Sequence, residues 1–135
     1  MENTKKLGAD GEEIAVLFLE QKGCKIIERN YRAKLKGRKG AGCEIDIIAQ
    51  KDGYIIFAEV KTRSSLTYGA ASGSVNITKQ KHIISAAKYF LTENGDLYSE
   101  CQPRFDVVEV YHDNKTGKNY VRNIEGAFIT NEKNN

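Results

Sequence analysis

Residues 43–63, CEIDIIAQKDGYIIFAEVKTR, form two mainly apolar segments on either side of Asp52-Gly53, with charged residues toward their outer ends. An Asp-Gly pair between two strand-like segments is typical of a type I′ turn, so the pattern predicts a two-stranded hairpin. If these two residues form the whole turn, Lys51 faces Tyr54 and every further cross-strand pair is fixed. A three-residue turn would instead move the charged residues of the two strands to opposite faces.

Four charged side chains are predicted to lie on one face at the open end of this hairpin: Glu44, Asp46, Glu59 and Lys61. In the predicted register Asp46 lies opposite Glu59, and Glu44 lies opposite Lys61. Opposed carboxylates with Cβ atoms roughly 4.5–5.5 Å apart repel each other unless a cation lies between them. The alternative is a solvated strand face, where charged residues are usually found.

The residues around these charges are apolar on both faces, as in an interior sheet. One face is predicted to carry Ile45, Ile47, Ala49, Ile56, Ala58 and Val60, and the other continues beyond the charges with Ile48 and Phe57. This setting favours a metal site over a solvated strand face.

The rest of the pattern predicts two helices and three further strands. The first helix should begin near Asp10 and end at about Gln21, and the second should cover residues 79–92 with Thr78 as its N-cap. The further strands are predicted over residues 24–33, 104–111 and 119–124. The order α-β-β-β-α-β-β predicts an α/β fold with a mixed β-sheet flanked by helices.

Core positions recur at helical spacing in both helices. They are Ile14, Ala15, Leu17 and Phe18 in the first, and Ile83, Ile84, Ala87, Phe90 and Leu91 in the second. The glycine-containing segments 34–42 and 64–76 are predicted loops. We expect one domain over residues 1–135, with a core of about residues 7–128 and a polar tail over 129–135.

Composition narrows the class of protein and of metal. A chain of 135 residues with 40% hydrophobic content can form a substantial core, and no apolar run approaches the roughly 20 residues of a membrane span. Its three cysteines are an odd number without close pairing, which predicts reduced thiols and a cytoplasmic protein. With only two histidines, a metal would be a hard cation on oxygen ligands, Mg²⁺ or Mn²⁺.

The net charge of +3 is unevenly distributed. Eight basic residues and one acid, Glu28, occur within residues 22–39. A basic segment beside an acidic cluster suits a polyanion such as nucleic acid, although a solubilising loop would have the same composition.

Charged residues near the start of each helix allow two interpretations. Glu12 and Glu13 are predicted in the first turn of the first helix, where the helix dipole favours acids, but one of them could instead reach the carboxylate cluster. Lys79 and Lys81 begin the second helix with Gln80 between them. Basic residues there oppose the dipole, which favours a role facing phosphate over surface solvation.

Asp46, Glu59 and Lys61 match Asp…Glu-x-Lys, the signature of the PD-(D/E)xK nuclease superfamily, whose restriction-endonuclease-like fold has this element order. Further segments resemble the YraN family of small bacterial proteins assigned to that superfamily. They include Gly11-Glu12, Arg29–Arg32, Glu44–Ala49, Phe57–Arg63, Tyr68-Gly69, Lys79-Gln80, Arg104–Val108 and Ala127-Phe128. The resemblance covers roughly residues 7–128. The chain departs from the family in an inserted basic segment, residues 34–42, and in Cys43, where a glycine is common.

The resemblance implies a metal-binding role for Asp46 and Glu59, with the Val60 carbonyl as a further ligand. Lys61 would orient or activate the attacking water and stabilise developing charge on phosphorus. We prefer charge stabilisation for Lys61 because neighbouring carboxylates favour the ammonium form.

The resemblance also favours Glu12 over Glu13 as the helix acid of the site, and it brings in Gln80 from the second helix. Glu44 is a family residue without an assigned role. Basic residues expected to contact nucleic acid are Arg32, Lys34, Lys36, Arg38, Lys39, Arg63, Lys79 and Lys81.

We therefore expect a nucleic-acid-binding protein, a divalent-metal-dependent endonuclease that hydrolyses DNA phosphodiester bonds. One alternative is a non-catalytic nucleic-acid-binding module that retains the nuclease fold. Another is a protein-interaction adaptor, and a homodimer is possible in either case.

Overall fold

A computed structural model of the chain describes residues 4–34, 43–63 and 75–129, with side chains from residue 11 onward. Within these ranges, two helices and five strands follow the predicted order. They are α1 (Thr4–Gln21), β1 (Lys25–Arg32), β2 (Glu44–Lys51), β3 (Tyr54–Arg63), α2 (Ile77–Glu93), β4 (Gln102–His112) and β5 (Asn119–Phe128).

The five strands form one sheet in the order β1-β2-β3-β4-β5. Strands β3 and β4 are parallel and the other neighbours are antiparallel. Parallel neighbours require a crossover, which α2 provides. The mixed sheet with flanking helices is the predicted α/β, restriction-endonuclease-like arrangement.

Each face of the sheet packs against one helix because the strands are apolar on both sides. On one face, Ala15 and Leu19 of α1 pack with Ile47, Ala58 and Val108. On the other face, buried residues of α2 pack with the sheet, among them Ile83, Ala87, Phe90, Ile48, Phe57 and Phe105. The two core clusters therefore separate the α1 face from the α2 face.

Several predicted boundaries are wrong by a few residues. Helix α1 begins at Thr4, so Glu12 and Glu13 lie in its third turn and the helix-dipole explanation for them no longer applies. Leu17, predicted in the core, is half exposed. Strand β5 extends to Phe128 because its later residues pair with the start of β4.

The N-cap of α2 is Asn76 rather than the predicted Thr78. The Asn76 side chain accepts a hydrogen bond of 2.8 Å from the backbone N–H of Lys79, a standard Asx cap. Both residue types cap helices, so composition could not distinguish them.

Most of the two predicted loops, the predicted tail from Thr130 onward, and Lys36, Arg38 and Lys39 lie outside the described residues. Within the described part of the chain, neither helix has the length and apolar character needed to cross a membrane. All three cysteines are free thiols.

Candidate functional site

The hairpin has the predicted register close to its turn but opens before the charged residues. Strands β2 and β3 pair from Lys51 with Tyr54 to Ile47 with Ala58, as a two-residue turn requires. The predicted ladder pairs beyond this point, Asp46 with Glu59 and Glu44 with Lys61, do not form within these two fully described strands. The sheet therefore separates at the residues that carry the charges.

The Asp46 side chain bridges β2 and β3 where the two strands separate. Its Oδ2 accepts a hydrogen bond of 2.8 Å from the backbone N–H of Val60 on β3. A side-chain carboxylate thus takes the place of a ladder carbonyl. This bond turns the Asp46 side chain toward β3 and Glu59.

The alternation of both β1 and β2 breaks at the same step. Ile47 packs on the α1 face, yet Ile45, two residues away, packs with Tyr31 on the α2 face. Residues two apart normally share a face, so the prediction that Ile45 accompanies Ile47 is wrong. The change of face in β2 occurs opposite Asn30 of β1, whose φ of 52° is in the left-handed region. Within these described strands, the β1–β2 register has no Asn30–Asp46 pair.

This break lets residues from both faces of the sheet meet near Asp46. Helix α1 approaches β3 closely at Gly11, where an added Cβ would overlap Oγ1 of Thr62. The next residue, Glu12, is half-buried, and the Asn30 side chain hydrogen-bonds its carboxylate. Burial raises the pKa of Glu12, and the nearby Asp46 charge raises it further.

Glu59 enters the site from the α2 face and is 8% exposed. Burial, reinforced by the Asp46 charge, raises the pKa of Glu59 to about 7, although Lys79 and Lys61 oppose the shift. Burial also raises the pKa of Asp46, against the opposing hydrogen bond from the Val60 N–H. The two carboxyl groups are hydrogen-bonded to each other, which is the arrangement expected when they share a proton.

Lys79 is the cation that the structure adds to these acids. Its Nζ lies 3.7 Å from Oε2 of Glu59. We predicted Lys79 as a contact to nucleic acid, not as part of the acid cluster. Its signal was its position at the start of α2, against the helix dipole.

Two predicted residues have other partners. Gln80 donates a hydrogen bond of 2.7 Å to the Val75 carbonyl, which supports the start of α2. Glu44 forms an ion pair of 3.3 Å with Arg32, across β1 and β2. Neither contact joins them to the Asp46–Glu59 pair.

The other described residues predicted to contact nucleic acid lie around this opening or on the surface. Lys34 and Lys81 are exposed. Arg63 lies 3.7 Å from Glu109, a fully buried acid on β4 that we did not predict as part of any site. An acid inside the apolar run of β4 was the available signal for Glu109, and the asparagine at position 30 gave no comparable signal.

The donor set near Asp46 is small. Among the described residues, no three His, Cys, Asp or Glu side chains are grouped closely enough to hold a metal ion by themselves. Two close carboxyl groups, a third acid nearby and two ammonium groups are what the arrangement offers. It can exchange a proton and can bind a hard cation that keeps other ligands.

Comparison with known proteins gives one consistent result. A family model described as "Uncharacterised protein family UPF0102" matches residues 11–110. A UPF0102 protein of Caldicellulosiruptor saccharolyticus is 42% identical over 126 residues, covering 93% of this chain and 99% of the relative. The UPF0102 proteins of Clostridioides difficile and Chlorobium phaeobacteroides are 44% and 46% identical, covering 81% and 77% of this chain and 88% and 75% of the relatives.

Proposed function

The chain belongs to the UPF0102 family, which is the YraN family that its sequence resembles. From this premise we propose that it is a divalent-metal-dependent nuclease acting on DNA. The proposal includes membership of the PD-(D/E)xK superfamily.

One observation carries the proposal: the hydrogen-bonded carboxyl pair of buried Glu59 and half-buried Asp46 at the point where β2 and β3 separate. A structural pair of acids would normally be placed beside matching donors, because burying like charges together is costly. Here the cation paired with these acids is Lys79, whose Nζ lies 3.7 Å from Oε2 of Glu59. The arrangement favours a site that binds a metal cation in the active protein.

The residues present fit Mg²⁺ or Mn²⁺ better than a metal held in a closed protein cage. Carboxylate and carbonyl oxygens from Asp46, Glu59 and Val60 are hard ligands. Mg²⁺ is commonly bound through one or two carboxylates while it keeps several waters and contacts substrate phosphate, so a two-carboxylate site suffices. When bound, the metal would polarise the phosphate and lower the pKa of a bound water.

The protein's own groups would divide the remaining work. Lys61 is half-buried and lies two residues after Glu59 on β3, so both side chains are on the same face of the strand. Its ammonium group would stabilise the negative charge that develops on the phosphoryl oxygens. Glu12, held by Asn30, lies on the α1 side of the pair and can hydrogen-bond a water there. In the hydrolysis, the water oxygen bonds to phosphorus, the bond from phosphorus to one ester oxygen breaks, and that oxygen leaves with a proton.

The test is cleavage of duplex, nicked, flap and four-way-junction DNAs by purified protein with Mg²⁺ or Mn²⁺. We expect wild-type cleavage, and a loss of about 100-fold or more for Glu59→Ala and Lys61→Ala, as for other groups that stabilise transition-state charge. Glu20→Ala is the matched control, because Glu20 is exposed near the end of α1, two turns beyond Glu12. No cleavage of any DNA, or cleavage that both site variants retain, contradicts the proposal.

The non-catalytic alternative makes a different prediction. It requires salt-sensitive DNA binding that Asp46→Asn leaves unchanged, without turnover in any metal. Measuring binding and cleavage with the same variants therefore separates the two functions.

A further inference from the structure

A second charged cluster lies on the α2 face of the sheet, centred on Glu109 of β4. Glu109 is fully buried. Its Oε1 accepts a hydrogen bond of 2.9 Å from the Tyr111 hydroxyl and lies 3.9 Å from Nε of Arg122, and its Oε2 lies 3.7 Å from Nη2 of Arg63. One carboxylate thus lies between two guanidinium groups.

The strand register places this cluster directly beside the proposed catalytic lysine. Glu109 pairs with Lys61 on one side and with Arg122 on the other, so these three residues form one row across β3, β4 and β5. Paired residues on neighbouring strands are about 4.8 Å apart, and rows on the same face are about 6.6 Å apart along the strands. Glu59 lies in the preceding row and Arg63 in the following one.

The two guanidinium groups remain accessible although the acid between them is buried. The Arg63 and Arg122 side chains are 36% and 56% exposed, against 0% for Glu109. An ion pair with a buried carboxylate restricts the arginine side chain in advance. The side chain therefore loses less conformational entropy when its guanidinium group binds another anion.

From this geometry we propose that Arg63 and Arg122, oriented by Glu109 and Tyr111, form a binding site for a backbone phosphate of the polynucleotide next to the phosphate attacked at Asp46 and Glu59. This inference rests on the proposed function and extends it. Arginine binds phosphate through paired N–H donors, and a neighbouring phosphate on the same strand would fix the substrate's direction across the sheet.

A purely structural role for the cluster predicts something different. Neutralising one arginine would then lower the thermal midpoint, because Glu109 loses a partner, but it would leave DNA affinity unchanged. Affinity and its salt dependence are therefore the measurements that distinguish the two roles.

The experiment measures binding of a fluorescein-labelled DNA single strand and of the matching duplex by anisotropy, with Ca²⁺ in the buffer, over a series of salt concentrations. We expect Arg63→Gln and Arg122→Gln each to weaken binding about tenfold. Each should also reduce the salt slope by about 0.7 for the single strand or 0.9 for the duplex. Lys25→Gln is the matched control, because Lys25 is exposed on β1 and pairs with Gln50 near the hairpin turn.

Arg122→Lys is the companion variant. It keeps the charge and should retain most of the salt slope while losing part of the affinity, since an ammonium cannot bind phosphate through a planar fork. It also keeps the test conclusive if Arg122→Gln does not fold.

Folded Arg63 and Arg122 variants that bind DNA like wild type overturn the phosphate site. If wild type still cleaves DNA, the proposed function survives that result. A wild type that neither binds nor cleaves DNA overturns the proposed function, and the phosphate site with it.

Discussion

The Glu59 carboxyl group gives the site a pH dependence of known sign. Its pKa is raised from 4.5 to about 7 in the folded protein, so folding favours the protonated form. The stability contributed by this group is present below about pH 4.5 and is lost as the pH rises through about 7. A neutral side chain at this position would avoid that loss.

We therefore predict that Glu59→Gln raises the free energy of unfolding by about 1–3 kcal/mol at pH 8 and has little effect at pH 4. Urea unfolding of both proteins at the two pH values measures this difference. Glu20→Gln, on the exposed surface of α1, should change neither value. If Glu59→Gln were less stable than wild type at pH 8, burial would not be the reason for the raised pKa of Glu59.

The same proton must leave before a metal can bind to the pair. We predict that Mn²⁺ affinity rises between pH 6 and pH 8 and that binding releases protons. Calorimetry in buffers with different ionisation enthalpies measures the number of protons released. An affinity independent of pH over this range would show that the metal does not use Glu59.

Asn30 is a residue whose backbone and side chain can be tested separately. Its φ of 52° costs a residue with a Cβ roughly 1–2 kcal/mol, which glycine avoids. Asn30→Gly should thus fold with near-wild-type stability but lose the hydrogen bond to Glu12, lowering DNA cleavage. Asn30→Ala should lose both cleavage and about 1 kcal/mol of stability.

Cleavage at the wild-type level by Asn30→Gly would show that Asn30 serves only the backbone. Stability follows from thermal unfolding, and cleavage from the DNA panel that tests the function. The sequence could not predict this residue, since a left-handed asparagine inside a strand leaves no mark on hydrophobic periodicity.

At the level of elements, the approach of α1 to β3 depends on one missing methyl group. Glycine inside a helix costs roughly 1 kcal/mol relative to alanine, so Gly11 is expected to serve a purpose there. An added Cβ would overlap Oγ1 of Thr62 and lie 3.3 Å from its Cγ2.

Gly11→Ala should therefore displace α1 from β3 and carry Glu12 away from Asp46. We predict a loss of DNA cleavage of about tenfold or more, as a displacement of about 1 Å can cause, even though alanine has the higher helix propensity. Leu17→Ala, at a half-exposed position of the same helix, is the control. Thr62→Ala with Gly11→Ala should recover part of the activity, because alanine removes both Oγ1 and Cγ2 from the contact.

Elements with strong local signals were predicted well. The Asp52-Gly53 turn determined the β2–β3 register, which the structure confirms from Lys51–Tyr54 to Ile47–Ala58. The opening beyond that pair was not predictable, because it depends on the Val60 N–H choosing a side-chain acceptor on Asp46 over a ladder carbonyl. Register is local information, whereas the end of a ladder is decided by tertiary contacts.

At the level of the whole molecule, a row of aromatic rings joins the three strands farthest from the β1 edge. Phe105 stacks on Phe57 at 5.5 Å and on Phe128 at 5.1 Å between ring centroids. Phe57 also meets Phe90 of α2 edge to face at 6.0 Å. This row stabilises the α2 face without including any of the charged residues.

We predict that Phe105→Ala lowers the free energy of unfolding by about 3–5 kcal/mol while leaving Mn²⁺ affinity of the folded protein unchanged. Chemical denaturation and calorimetry below the unfolding transition measure the two quantities. A marked loss of metal affinity in the folded variant would show that core packing and the site are coupled across the sheet.

The overall architecture followed from the sequence because each helix and strand carries a clear period and the order of elements leaves few topologies. The sequence also predicted that the acids Asp46 and Glu59 lie close together, as they do. Glu109 was missed because its partners, Arg63 and Arg122, come from two other strands, and only the β3–β4–β5 pairing shows them together.

The bond from the Val60 N–H to Asp46 also makes this amide a spectroscopic probe of the site. Its proton resonance depends on the charge of the Asp46 carboxylate, which accepts its hydrogen bond. In a ¹⁵N-labelled sample, the Val60 signal should shift as Asp46 loses its proton or binds a cation, and its exchange with solvent should slow when that bond is strengthened. The protein thus contains a built-in probe through which protonation and metal loading can be followed without any substrate.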